Sequence, residues 1–430
     1  MQTSAFFFTE LDESLRPKGS RDPIGLEPVW SQVGRRLVGN LTTVTRSLDN
    51  FIVTLVGFAI AAQGGSSKDE TEPGSSEFYL RFERFEQLAA WGRFAHGRPD
   101  VVGTRIIASR DQDRKDGKVA IGAGTAAKIL GDQRRSGLWG LYSTALMATG
   151  LVDAKRRLKV EGYRIVKPFL YYYYASPAMK TLRMHMDDPA RTIHVNPLEL
   201  DIGPLLESPG RDALAVRLLR EGEGPMQKAI YDRMRSPDFG CFDKISTLFT
   251  ALASDSSANA KLSSYAQNVI LLERTLVVVA AAFDFLLGPQ SRPLADVMQT
   301  FVNSGWDDFS LWNSLTPPED TFRRLFTGVW QRRVERLYEI VGHLCAGQLA
   351  EFIHALLAFH ADIMRERGGP AWVQIDSTGA MRGIMGEQRA LPQSKTVLAS
   401  WNNDYFIGAF IALMRNTPAY NDGADRGLAA

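Results

Sequence analysis

The stretch KVAIGAGTAAKILGDQRRSGLWGLYSTALMATGLV, residues 118–152, decides between two classes of fold. It begins with the spacing of a dinucleotide-binding turn, because a short apolar strand leads into Gly-x-Gly-x-x-Ala at residues 122–127. Such a turn needs a crossover helix, a second parallel strand and an acidic residue about 20 positions further on. Here the crossover helix would contain three glycines, each costing roughly 1 kcal/mol relative to alanine. A dinucleotide-dependent enzyme therefore stays only as a distant alternative.

The glycines fit better between two short helices. Thr125 would cap a helix over residues 126–130, Gly131 would end it, and a second helix would cover residues 134–149. The segment that follows, residues 151–159, would form a basic hairpin. Helix, turn, helix and basic hairpin is the order of elements in a winged helix, so the pattern predicts that fold for this region.

The charges of the same region favour nucleic acid as the ligand. Basic residues far outnumber acidic ones between Lys128 and Lys167, although the whole chain carries a net charge of only +2. Such clustering is typical of contacts to phosphates. The predicted contact residues for double-stranded DNA are Arg134, Arg135, Lys155, Arg156, Arg157 and Lys159. The two arginines would open the recognition helix, and the others would form the wing. A solvated hairpin, or a winged helix that only docks a protein, would give the same pattern.

The cysteine content and the lengths of the apolar runs indicate the cellular compartment and whether the chain crosses a membrane. The chain of 430 residues has two cysteines, Cys241 and Cys345, which lie too far apart in sequence for a redox or metal motif. This excludes a disulfide framework and indicates a reducing cytoplasm. The apolar runs at 51–62 and 275–287 are shorter than a bilayer requires, so they predict buried helices and no membrane partner.

The predicted fold class is mainly α, with a small α+β winged-helix domain and a helical C-terminal half. Hydrophobic spacing of three and four residues predicts long helices in the second half of the chain. The predicted domain organisation is an N-terminal helical segment (1–62), a flexible linker (63–78), the winged-helix domain (79–170), a connector (171–204), a helical domain (205–370), and a C-terminal hairpin with a closing helix (371–430).

Four other groups of residues suggest chemistry but fit a structural role better. His343, Cys345, His354 and His360 share one helical pattern, but about 16 Å of helix would separate the first and third of them, so no metal is predicted. The segment RMHMDD (183–188) is predicted to be a loop. Asp376 and Glu387 lack the nearby lysine of a nuclease site. The segment QRRVER (331–336) is predicted to be a solvated helix face, with a second phosphate contact as the alternative. No catalytic residue and no cofactor are predicted.

Three segments carry a resemblance to a known group of proteins: DPIGLEPVWSQVGRRLVGNLTTVTRSL (22–48), ILGDQRRSGLWGLY (129–142) and DYFIGAFIALMRN (404–416). Their arrangement resembles that of uncharacterised winged-helix accessory proteins of bacterial anti-phage defence loci. The resemblance implies a non-catalytic subunit that works beside a helicase, nuclease or ATPase. The function expected from the sequence is thus DNA binding within a multi-protein assembly, and the alternative is a helical scaffold that only docks proteins.

Overall fold

The computed structural model describes residues 22–63, 72–113, 116–240, 242–256, 259–288, 291–383, 387 and 389–417. The described chain is mainly helical with small antiparallel sheets, which confirms that part of the predicted fold class. Within these ranges no helix combines the length and the apolar character needed to cross a bilayer.

The chain divides into two compact units, each made of two separate segments. The first unit contains residues 22–33 and 245–403, and the second contains residues 34–244 and 404–417. The division falls within helix α1 (Glu27–Leu37). All the residues that the sequence predicts to bind DNA belong to the second unit.

The second unit contains helices and one two-stranded sheet. Its helices are α2 (Leu48–Ala62), α3 (Ser76–Ala95), α4 (Thr104–Gln112), α5 (Gln133–Ser136), α6 (Leu138–Ala148), α7 (Val160–Ala175), α8 (Lys180–Asp187), α9 (Gly203–Leu206), α10 (Gly210–Leu219), α11 (Gln227–Met234) and α20 (Ile407–Arg415). Its strands are β1 (Val119–Gly122) and β2 (Thr192–Val195), which pair antiparallel with Val119 opposite Val195.

Helix α2 is the centre of the second unit. Its sequence LDNFIVTLVGFAIAA is apolar on all sides, and nearly all of its residues are buried, as expected for a helix without a polar face. The side chain of Ser47 caps its first turn by accepting a hydrogen bond from the amide of Asn50. Helices α3, α6, α7 and α10 pack around it. The described part of the predicted N-terminal helical segment thus contains two helices, α1 and α2.

The start of α3 differs from the predicted linker at residues 63–78. Residues 64–71 of that linker lie outside the described residues. Ser75 caps α3 by accepting a hydrogen bond from the amide of Phe78 at 3.1 Å, so Ser76 to Phe78 form a helical turn. The side chain of Phe78 is buried and packs with Phe58 and Trp139. These contacts explain why Ser76 to Phe78 belong to the first turn of α3.

Helix α7 occupies a segment whose alternation predicts a strand with a turn at Gly162. Gly162 instead lies in the first turns of the helix, against the carbonyl oxygen of Leu151. A Cβ atom at this position would lie 2.1 Å from that oxygen, which is well inside van der Waals contact. The absence of a side chain therefore allows the hairpin at residues 151–159 to pack directly on α7.

Replacing Gly162 with alanine should destabilise the protein by about 1–3 kcal/mol, because the hairpin must move away from α7. Chemical denaturation followed by circular dichroism measures the change. The control is Gly342→Ala, at a helical glycine in the first unit where a Cβ would meet nothing within 4 Å. That control should be neutral or stabilising by up to about 1 kcal/mol. Equal effects of the two substitutions would contradict the close-packing argument.

The first unit is built on the long helix α13. Its elements after α1 are α12 (Ile245–Ser254), α13 (Ala260–Leu286), β3 (Ser291–Pro293), α14 (Leu294–Asn303), α15 (Phe309–Trp312), α16 (Asp320–Arg323), α17 (Val329–Cys345), α18 (Leu349–Glu366), β4 (Val373–Ile375), β5 (Ala380–Gly383) and α19 (Ser394–Leu398). Helices α12, α17, α18 and α19 pack on α13. The predicted hairpin near residue 377 is confirmed as β4 and β5, and β3 joins β5 as a third antiparallel strand.

Candidate nucleic-acid interface

The region after β1 does not form the first helix of the predicted helix-turn-helix. Turns occupy residues 123–132, where a helix over 126–130 is predicted, and Gly122 and Gly124 both have positive φ angles. Thr125, predicted to cap that helix, therefore caps none, and Asp132 caps the helix that follows, α5, by accepting a hydrogen bond from the amide of Arg135 at 3.0 Å. The helix that the sequence predicts over 134–149 is split at Gly137 into α5 and α6.

A buried glutamate explains the split. Glu86 of α3 is 2% exposed, and its Oε1 accepts a hydrogen bond from the amide of Leu138, the first residue of α6. Its Oε2 accepts a second bond from Nε2 of Gln133, the first residue of α5, at 2.8 Å. Burial raises the pKa of Glu86 to about 7, although both hydrogen bonds act in the opposite direction. One carboxyl group thus holds the starts of both helices.

Helix α6 is not exposed as a recognition helix must be. Its buried residues lie on more than one side and include Leu138, Trp139, Tyr142 and Leu146. Because a recognition helix inserts its side chains into the major groove, α6 in this position cannot play that role. The sequence carried a signal for this, since the stretch from residue 138 to 152 contains no charged residue. A helix that is mostly apolar and carries no charge is typically buried.

Arg134 and Arg156 each lie over one of two aromatic rings that contact each other. The guanidinium carbon of Arg134 is 5.0 Å from the ring centre of Tyr79, and that of Arg156 is 5.3 Å from the ring centre of Trp139. The two rings meet edge to face, with their centres 5.2 Å apart. Arg134 is exposed, whereas Arg156 is half-buried. Burial lowers the pKa of Arg156, and the nearby positive charge of Arg134 lowers it further by a smaller amount. The structure thus brings these two predicted residues together.

The basic hairpin is present as a tight turn. Val152 and Leu158 form an antiparallel bridge, and Oδ1 of Asp153 accepts hydrogen bonds from the amides of Lys155 and Arg157. Arg156 has a positive φ of 64°, and its Nη1 donates to the carbonyl of Ala154 at 2.5 Å. Arg156 therefore has a structural role in the turn, which the sequence did not reveal.

The remaining predicted contact residues are exposed but differ in their partners. Nζ of Lys155 is 3.7 Å from a carboxylate oxygen of Glu72, and Nε of Arg157 is 4.0 Å from one of Asp153. Among the described residues the side chains of Arg135 and Lys159 have no hydrogen-bond or ion-pair partner. These two side chains can bind an anion without first breaking an ion pair.

The solvent face of α7 is a feature that the sequence analysis missed. Tyr163, Lys167 and Tyr171 follow one another at intervals of four residues, and the two tyrosines are 55% and 68% exposed. The opposite face carries the buried residues Ile165, Val166 and Phe169. The spacing of four is visible in the sequence, but the alternation before it predicts a strand, and residues 171–204 are predicted to be a connector. This face begins directly after Lys159, so it continues the basic hairpin.

The topology of β1 differs from that of a dinucleotide-binding unit. Strand β1 pairs antiparallel with β2, and turns follow it where the crossover helix of a parallel unit would begin. The amide of Gly122 donates a hydrogen bond to Oε1 of Gln87, and the carbonyl of Gly122 accepts one from Nε2 of Gln87. The strand–turn–helix context that the glycine pattern requires is therefore missing at these residues.

Most of the other groups noted in the sequence have structural partners. His360 is buried, with Nδ1 donating to the carbonyl of Pro23 and Nε2 accepting from the amide of Trp372. Asp376 caps the turn between β4 and β5. Arg333 of α17 pairs with Glu366 of α18 at 2.5 Å, and Arg336 pairs with Asp362. Within the described ranges no three His, Cys, Asp or Glu side chains gather as metal ligands would.

The segment RMHMDD is helical where the sequence predicts a loop. It forms the end of α8, and burial lowers the pKa of His185. Asp187 and Asp188 lie at the junction between α8 and the segment leading to β2.

Comparison with protein-family models, with curated proteins and with solved structures finds no match to this chain.

Proposed function

We propose that this protein binds nucleic acid through a basic surface of its second unit. We define this basic surface as α5, the hairpin at residues 151–159 and the solvent face of α7. The observation that carries the proposal is the set of exposed cationic side chains without partners among the described residues, Arg135, Lys159 and Lys167, next to exposed Tyr163 and Tyr171. Unpaired cations suit phosphates, and exposed aromatic rings offer stacking surfaces for bases.

In this proposal the hairpin contacts nucleic acid as the wing of a winged helix does, whereas α6 is buried beneath the surface and makes no contact. Contacts of this kind recognise the phosphate backbone and carry little sequence information. We therefore propose binding that depends strongly on salt and weakly on sequence. A role beside a helicase, nuclease or ATPase in a defence assembly rests on the resemblance of three segments alone and is proposed only on that ground.

The test is the affinity for a labelled duplex and for the corresponding single strand, measured by fluorescence anisotropy at several salt concentrations. Replacing Arg135, Lys159 and Lys167 with alanine should weaken binding and should reduce the salt slope by about three contacts, at roughly 0.9 each for duplex DNA. The substitution of both Arg134 and Arg135 should remove about two contacts. All these side chains are exposed, so the variants should remain folded.

The matched control replaces two exposed cationic residues of the first unit, Arg324 and Lys395, with alanine. This variant loses as much charge as the Arg134 and Arg135 variant but should keep the affinity and slope of the parent. If the parent binds neither strand form at low salt, nucleic-acid binding is refuted. If the triple variant binds as the parent does, the basic surface is not the nucleic-acid interface. Docking of a protein on the exposed tyrosines of α7 would then be the better explanation of this surface.

A further inference from the structure

A pocket of about 370 Å³ lies in the second unit, and its lining residues are not among those assigned to nucleic acid. Helix α3 forms one wall, the turn after β1 forms another, and the segment between α8 and β2 closes the third side. Three arginines line it, Arg81, Arg84 and Arg191, together with the apolar side chains of Leu80, Met186 and Pro189. Its volume falls within the range of small-molecule sites, about 300–1,000 Å³.

Arg84 is part of the wall itself. Its Nη1 donates to the carbonyl oxygen of Asp188 at 2.5 Å, and its Nη2 donates to the carbonyl oxygen of Ala190. These bonds hold the segment between α8 and β2 against α3. Because its donors already have acceptors in the chain, Arg84 orders the pocket and adds positive charge to it.

Arg81 lies about one helical turn before Arg84 in α3, and its N–H groups make no hydrogen bonds to carbonyl oxygens of the described chain. It has no hydrogen bond or ion pair with any described residue, and its Nε is buried without an acceptor. The two Nη groups of Arg81 are not buried and also have no acceptor among the described residues, so they are available to an acceptor on a ligand. Arg81 also lies close enough to Arg84 to disfavour its charge. An anion between the two would relieve this repulsion.

The acidic residues of the pocket limit the charge of that anion. Glu77 and Asp187 line the pocket as exposed carboxylates, and neither has a hydrogen-bond or ion-pair partner among the described residues. Asp188 is engaged by its own chain, since its Oδ1 accepts a hydrogen bond from the amide of Ala190 at 2.8 Å. Two unpaired carboxylates would repel a multiply charged phosphate more strongly than a single carboxylate.

We propose that this pocket binds a small organic carboxylate with an apolar body. Arg81 is the principal donor to the carboxylate, since guanidinium groups match carboxylates with two parallel hydrogen bonds. Arg191, exposed at the rim, supplies a second cation. The apolar part of the ligand packs on Leu80, Met186 and Pro189. The lining residues of this pocket differ from those of the basic surface, so the proposal does not depend on nucleic-acid binding.

The test uses three probes with the same ring and different head groups: benzoate, phenyl phosphate and benzyl alcohol. Saturation-transfer NMR and isothermal titration calorimetry on the full chain should show that benzoate binds more tightly than either of the others. Arg81→Gln should weaken benzoate binding by about tenfold or more, because one charge-assisted contact is lost. Arg332→Gln, in the first unit, is the control and should bind benzoate as the parent does.

Three results would overturn the proposal. Equal affinity for benzoate and benzyl alcohol would mean that only apolar contacts act. Tighter binding of phenyl phosphate would assign the pocket to phosphates. Unchanged benzoate affinity in a folded Arg81→Gln variant, verified by circular dichroism, would remove Arg81 from the site.

Discussion

Replacing Arg93 with methionine should lower the free energy of unfolding by about 3–5 kcal/mol, because it leaves buried acceptors without their donor. The side chain of Arg93 is 2% exposed. Its Nη1 donates to Oδ1 of Asn50 at 2.5 Å, and its Nη2 donates to the carbonyl of Pro99 at 2.7 Å. Asp49 lies 3.9 Å from Nη2 and also pairs with Arg211. The guanidinium therefore joins α3 to the start of α2 and to the chain before α4.

The matched control is Arg98→Met, five residues further along the chain. Arg98 pairs with Glu207 at 2.5 Å, but both side chains are more than a third exposed. An exposed pair of this kind contributes only about 0–1 kcal/mol. Urea denaturation followed by circular dichroism compares the two variants. A loss below about 1 kcal/mol for Arg93→Met would contradict the central role that we assign to this side chain.

The second large effect should be a dependence of stability on pH that becomes weaker in Glu86→Gln. Burial raises the pKa of Glu86 from 4.5 to about 7, so the folded protein favours its protonated form. The contribution of this group to stability is fully present below pH 4.5 and is lost as pH rises through about 7. The interval between these pKa values corresponds to ~3 kcal/mol.

Unfolding free energies of the parent and of Glu86→Gln should therefore diverge across this pH range, with the flatter profile in the variant. Glutamine keeps the size of the side chain and one carbonyl acceptor for the amide of Leu138. Glu339→Gln, at an exposed position, should keep the profile of the parent. Parallel profiles for the parent and Glu86→Gln would show that Glu86 is not the titrating group. Burial also raises the pKa of neighbouring Glu83, so part of the slope should survive the substitution of Glu86.

Local pattern alone predicted many elements correctly. Helix α3 follows from the helical spacing of its aromatic and apolar residues, α13 from the helical spacing of residues 260–288 and the apolar run at 275–287, and α20 from the closing apolar segment. The hairpin of β4 and β5 follows from alternation around a turn that contains Gly379. These elements depend on neighbours within a few residues, so the chain carries the information locally.

The boundaries near Gly137 and Gly162 could not be predicted in the same way. Helices α5 and α6 are separate because Glu86, about 50 positions earlier, binds the start of each. Helix α7 replaces a predicted strand because its apolar face packs against α2 and α10. Contacts between distant residues decided these cases, and a local pattern cannot represent them.

The predicted interface shows the same division. Residue types and spacing alone indicate the concentration of basic residues between positions 128 and 167. They also indicate the hairpin that carries several of these residues. Only the packing shows which cations remain unpaired. Only the packing shows that Arg156 stabilises its own turn and that Tyr163 and Tyr171 extend the surface. The pocket at Arg81 combines side chains from positions 77 to 191, and it exists because β1 pairs with β2 about 70 residues away. Periodicity determines which residues can share a face, but the burial of α6 and the pairing of distant strands determine which faces meet the solvent.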